Sequence, residues 1–159
     1  MSPETSPSRI CFSFANSLNQ CIKVKKKNFF FTNQVPTKKL RGYRNIIDKV
    51  FSDWSTKTIQ RLKSEGVCYP VGNETRNKIA KVFRVVGYHE EWIKQNILDP
   101  DVYKFKVDKQ IRIFGIVERN VIYLLLYDIW HLVEPVSWKN FSVPDNQNCT
   151  WCLKSCDEK

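Results

Sequence analysis

The stretch Val102-Tyr103-Lys104-Phe105-Lys106-Val107-Asp108-Lys109-Gln110-Ile111-Arg112-Ile113-Phe114-Gly115-Ile116-Val117-Glu118-Arg119-Asn120-Val121-Ile122-Tyr123-Leu124-Leu125-Leu126-Tyr127 decides the fold of this 159-residue chain. Tyr103 and Phe105 alternate with Lys104 and Lys106, which sets the aromatic and basic pairs on opposite faces of a strand. Asp108-Lys109-Gln110 reads as a turn, Ile111 to Val117 as a second strand and Glu118-Arg119-Asn120 as a second turn. Val121 to Tyr127 is apolar throughout, the pattern of a strand covered on both faces. The expectation is a three-stranded antiparallel meander whose last strand is central and buried.

Upstream, the period changes. Leu40, Tyr43, Ile47, Val50, Phe51 and Trp54 recur at helical spacing, predicting a helix from about Lys38 to Asp53 with Thr37 as its cap. A second helix, capped by Ser55, buries Ile59 and Leu62 and stops at Gly66, so the two form a helical hairpin. Between hairpin and meander, Cys68 to Asn73 reads as an extended piece entering a turn. Lys78 to Val86 fits either a strand or a short helix, and Glu90 to Asn96 is helical in pattern. Nearer the start, Ile10 to Phe14 and Asn28 to Thr32 have strand patterns and are expected to pair with each other around residues 16–20. The fold class is therefore α+β, a helical hairpin packed on one face of an antiparallel meander. The chain divides into a disordered N-terminus at 1–9, one domain over 10–135 with an N-terminal extension, and an irregular Cys-rich tail at 136–159.

Helix, helix, a Tyr-x-Phe-x-Val strand, an Arg-Ile strand, a turn with Asn and an apolar strand ending Tyr127-Asp128-x-x-His131 form an order that resembles the RelE/ParE superfamily of toxins from toxin and antitoxin pairs. The similarity spans roughly Lys38 to Pro135. It implies a small RelE-like domain in which a concave sheet holds RNA, often messenger RNA in the ribosomal A site, and in RelE-like members an endoribonuclease that uses the ribose 2′-hydroxyl as nucleophile. ParE-like members keep the fold and act on gyrase, so the fold does not fix the reaction. On this resemblance Arg112 matches an arginine placed near the scissile phosphate, His131 a catalytic acid or base, and Lys104 and Lys106 phosphate-binding positions. Leu132-Val133-Glu134-Pro135 and the Cys-rich tail stand where RelE has its C-terminal features.

The charge points to partners independently. Lys and Arg number 26 against 16 Asp and Glu, a net +10. Met1 to Gly66 carries 13 bases against 4 acids, Val67 to Pro135 10 against 9, and the remainder 3 against 3. Such a field attracts polyanions. Lys25, Lys26, Lys27, Lys38, Lys39, Arg41 and Arg44 form the candidate nucleic-acid footprint. Phe29 to Phe31 either stack on bases beside it or form a buried strand. No run of 18 apolar residues or signal-like segment is present, so no membrane association and a cytoplasmic setting are expected.

Chemistry through a 2′-hydroxyl needs a base, an acid and cations for the dianionic phosphate. His131 can move a proton near neutral pH, Arg112 offers a bidentate fork and Lys104 a point charge. A lone histidine at a strand end beside Trp130 is more often a structural residue. His89, flanked by Glu90 and Glu91, fits a solvated helix start. Cys149, Cys152 and Cys156 supply three thiols where tetrahedral zinc wants four ligands, so no metal or other cofactor is assigned, and metal binding or a disulfide both stay open. Cys11, Cys21 and Cys68 read as small core residues. Two functions follow: an RNA-cleaving toxin-like enzyme with a cognate antitoxin and the ribosome as partners, or a non-catalytic module that keeps the fold and binds nucleic acid or a protein.

Overall fold

The structure, a computed structural model, describes residues 9–18, 22–26 and 29–134. Residues 1–8 of the disordered segment expected at 1–9, Cys21, Lys27 and the tail with Cys149, Cys152 and Cys156 lie outside these. In chain order the elements are β1 (Cys11–Ser13), β2 (Lys23–Lys26), β3 (Phe29–Thr32), α1 (Thr37–Trp54), α2 (Ile59–Ser64), β4 (Cys68–Pro70), α3 (Asn73–Val86), α4 (Glu90–Ile93), β5 (Val102–Lys106), β6 (Arg112–Glu118) and β7 (Val121–Asp128). A π-helical turn, Lys94–Leu98, extends α4.

The meander is the centre of a larger sheet. Its five strands run β1-β7-β6-β5-β4, all antiparallel except β1, which pairs parallel with β7. The strand expected at Ile10 to Phe14 therefore joins the meander rather than pairing with Phe29–Thr32. β3 instead pairs with the lysine-rich β2 in a separate hairpin, Lys23 opposite Thr32 and Lys26 opposite Phe29. The lysines did not prevent a strand because Val24 between them is buried while Lys23, Lys25 and Lys26 reach solvent. Phe31 is buried and Phe29 and Phe30 are half-buried, which answers the Phe29 to Phe31 alternatives mainly in favour of packing.

Both faces of the sheet are covered, correcting the expectation of helices on one face. On the first face α1 and α2 bring Ile47, Trp54 and Leu62 against Phe105, Ile113, Ile122 and Leu124. On the second, α3, α4 and the β2–β3 hairpin bring Ile79, Phe83, Ile93, Val24 and Phe31 against Val102, Phe114, Leu125 and Leu126. β7, apolar from Val121 to Tyr127, sits between β1 and β6 and touches both clusters, as its composition requires. A register shift between Phe114 and Gly115 turns Leu125 and Leu126 both into the second cluster.

Helix boundaries follow local chemistry. α1 begins at Thr37 behind Pro36, whose fixed φ of −54° sets the entry, so the expected Thr37 cap is replaced. α2 is capped by Thr58, whose hydroxyl accepts from Arg61 N at 3.2 Å, rather than by Ser55. Gly66, with φ 74°, ends it as expected. The ambiguous stretch at Lys78 to Val86 belongs to α3, which ends at Gly87 with φ 110°. Cys68 is buried, and burial pushes its thiol up to about 11; Cys11 is exposed, contrary to its reading as a core residue.

Candidate functional site

Three strands meet at one end of the sheet to place polar side chains in a row. Lys106 of β5 is opposite Arg112 of β6, which is opposite Asp128 of β7, and register partners share a face. Two residues along, Lys104 is on that same face, opposite Phe114. The row therefore extends the second apolar cluster at its edge, beneath α3.

The chain after β7 folds back over this row. Asp128 is fully buried, and its two carboxylate oxygens accept from Leu132 N and Val133 N, each at 2.8 Å. His131 sits inside that loop with φ 57° and is itself buried. The loop delivers Glu134, which accepts from Lys104 Nζ at 2.6 Å and from Thr75 Oγ1 of α3 at 2.7 Å. Arg112 Nη1 donates to Asp108 O at 2.5 Å and to Ile111 O at 3.0 Å, while its Nε has no hydrogen-bond partner among the described residues. The Asp108 carboxylate closes the turn below by accepting from Gln110 N and Ile111 N. Gln110 in turn donates to Ile129 O at 2.7 Å.

The electrostatics match this enclosure. Burial pushes Asp128 up to about 6, against the lowering effect of its two backbone donors and of Arg112. Burial lowers Arg112, opposed by Asp108, Asp128 and Glu134. Burial also pushes Glu134 upward, but the hydrogen bonds from Lys104 and Thr75, with the charges of Lys104 and His131, outweigh it and hold the carboxyl below its usual range.

Lys104, Arg112 and His131, chosen for chemistry, are thus brought to one place. Arg112 is 6% exposed and His131 7%, and Lys104 is engaged by Glu134. They face into the protein rather than onto an open sheet. Lys106 is exposed and lies over the Tyr69 ring at 4.7 Å. Asp128, Glu134 and Thr75 had no assigned role. Asp128-x-x-His131-x-x-Glu134 was a visible signal at a strand end, whereas Thr75 had none, since only packing brings α3 there.

The basic footprint behaves differently. Lys25 and Lys26 on β2, and Lys38, Lys39, Arg41 and Arg44 on α1, are all exposed. Asn33 to Pro36, buried or half-buried, tie the hairpin to α1. Trp130 Nε1 donates to Gln34 O at 2.9 Å, and Tyr43 packs edge-on against Trp130. The N-terminal half of α1 is therefore fixed beside the end of β7 that carries Asp128. His89 is an exposed residue preceding α4, as its flanking acids suggested.

The family described as Uncharacterised protein UU032 matches residues 13–159. The chain belongs to that family. No curated protein and no solved structure matches it. Among the described residues no helix is long and apolar enough to cross a membrane, and no group of three or more metal-ligating side chains is found.

Proposed function

We propose that the protein is a nucleic-acid-binding module that captures the phosphate backbone through the β2–β3 hairpin and the first turns of α1, with no chemistry at the Arg112 cluster. One contrast carries this reading. Lys25, Lys26, Lys38, Lys39 and Arg41 are exposed with no ion pair among the described residues, whereas Lys104 is paired with Glu134 and Arg112 is buried with Nη1 on two backbone carbonyls. Unpaired cations on a scaffold fixed by buried contacts are what non-specific phosphate binding requires, and their occupation releases counterions. The resemblance of the sequence to the RelE/ParE superfamily is compatible with a basic RNA-binding domain of this kind.

The test is anisotropy of a labelled single-stranded RNA across a salt series. Wild-type affinity should fall steeply with salt, and each phosphate contact removed by Lys25→Gln, Lys26→Gln, Lys38→Gln or Lys39→Gln should flatten the log–log slope by about 0.7. Binding that ignores salt, or that survives the fourfold variant unchanged, overturns the proposal.

A second reading has its own support. Lys104, Arg112 and His131 converge with two carboxylates whose proton affinities are displaced, an arrangement frequent in catalytic centres. On that reading the protein is a toxin-like endoribonuclease, with RNA, the ribosome and an antitoxin as partners in the cytoplasm. RNA cleavage, with or without ribosomes, that is lost in Arg112→Ala and retained in Lys38→Gln would establish it in place of the first.

A further inference from the structure

A cleft of about 480 Å³ lies at the opposite end of the sheet, lined among others by Thr58, Gln60, Lys63, Tyr103, Arg119 and Asn120. It is formed where α2 passes over β5 and the β6–β7 turn, far along β6 from Arg112. Its volume falls in the range of small-molecule sites, about 300–1,000 Å³. No Asp or Glu lines it, and neither Lys63 nor Arg119 has an ion pair among the described residues.

Lys63 is restrained by a ring, and Arg119 stands on an anchored turn. Lys63 Nζ stands 5.1 Å from the centroid of the Tyr103 ring, which restrains a side chain that is otherwise free to swing. Arg119 occupies the β6–β7 turn with φ 58°, a left-handed conformation that a glycine or asparagine would take more readily. That turn is anchored to the N-terminal segment: Cys11 N donates to Asn120 O at 3.0 Å, and Asn120 Nδ2 donates to Arg9 O at 2.5 Å. An arginine thus lines the cleft from a backbone position that disfavours it.

We propose that this cleft binds a small phosphomonoester. The guanidinium of Arg119 supplies a planar bidentate fork and Lys63 a point charge, together matching the dianion of a terminal phosphate. The amide of Gln60 and the Oδ1 of Asn120 offer hydrogen bonds to the rest of the molecule, and Tyr103 with Ile59 and Val117 offers apolar contact. The site is separate from the basic face of α1 and does not depend on nucleic-acid binding there.

The test is a ¹H–¹⁵N NMR titration of the full chain with adenosine 5′-monophosphate, inorganic phosphate and adenosine. Saturable shifts at Gln60, Lys63, Arg119 and Asn120 are expected with the monophosphate and with phosphate, and at least tenfold weaker binding with adenosine. Arg119→Gly removes the cation while relieving the left-handed backbone, so its Tm should not fall, and monophosphate affinity should drop at least tenfold. Lys63→Met keeps the aliphatic stem over Tyr103 and should give a similar loss. The proposal is overturned if no saturable binding occurs up to millimolar monophosphate, if the shifts map to α1 instead, or if affinity survives both substitutions.

Discussion

Replacing Asp128 with Asn gives a pH-dependent change in stability whose sign and size follow from the site. Asp128 is fully buried with its carboxyl pushed from 3.8 up to about 6, so between those values the folded chain holds a proton that the unfolded chain has released. A group whose folded pKa is raised stabilises the fold below its unfolded pKa, and that stability is lost as pH rises through the folded value. At about 1.4 kcal/mol per pH unit the wild type forfeits about 3 kcal/mol at this residue in all, about 2 kcal/mol of it between pH 4 and 6, and levels off above about pH 7. Asn cannot ionise, so it escapes this loss. It does surrender one acceptor for Leu132 N or Val133 N, both held at 2.8 Å, a cost of about 1–3 kcal/mol that does not vary with pH. Urea unfolding of both proteins at half-unit steps from pH 4 to 7.5 separates the two effects. The difference in unfolding free energy, variant minus wild type, should climb by about 2 kcal/mol across pH 4–6 from a negative start and flatten above about pH 7. A flat difference throughout would show that burial does not dominate at Asp128. A falling difference would show that Arg112 and the backbone donors dominate instead.

Other substitutions probe the surroundings. Lys104→Met leaves the half-buried Glu134 with Thr75 as its hydrogen-bond donor and should cost about 1–3 kcal/mol by thermal unfolding. Because Glu134 is held low in the wild type, its stabilisation is present at neutral pH and lost as pH falls through the folded value; the variant should show a smaller acid-side loss. Gly115→Ala would bring a Cβ within 2.7 Å of Tyr123 O at the register shift, so a fall of about 1–3 kcal/mol in unfolding free energy is expected, with the backbone of β7 giving way. Phe31→Ala should cost about 3–5 kcal/mol, detected by chemical denaturation, since the ring is fully buried under the hairpin.

The elements that could be read from sequence are those whose pattern is local. The alternation through Tyr103 to Lys106, the apolar run of β7 and the spacing from Leu40 to Trp54 each encode one face or one stripe, and each element formed within a residue or two of its expected place. The lysine-rich β2 was hidden because its only buried side chain is Val24, too short a signal for period-2 reading. α3 was ambiguous because Thr75 and Arg76 contribute to it through tertiary partners, Glu134 for one and the carbonyls of Leu98 and Pro100 for the other. Residue types alone drew attention to Lys104, Arg112 and His131, but whether such groups point into solvent or into the protein depends on what covers them.

The sequence by itself determined the meander, the first helix and the concentration of positive charge ahead of Gly66, because hydrophobic period and composition are properties of neighbouring residues. Tertiary structure alone decided the parallel docking of β1 on β7, the covering of both sheet faces and the enclosure of the Arg112 row by Asp128, Thr75 and Glu134. Those contacts join residues as far apart as Cys11 and Val121, or Thr75 and Glu134. Their formation depends on how the layers stack to bury apolar surface, and stacking is a global solution that no local window of the chain contains.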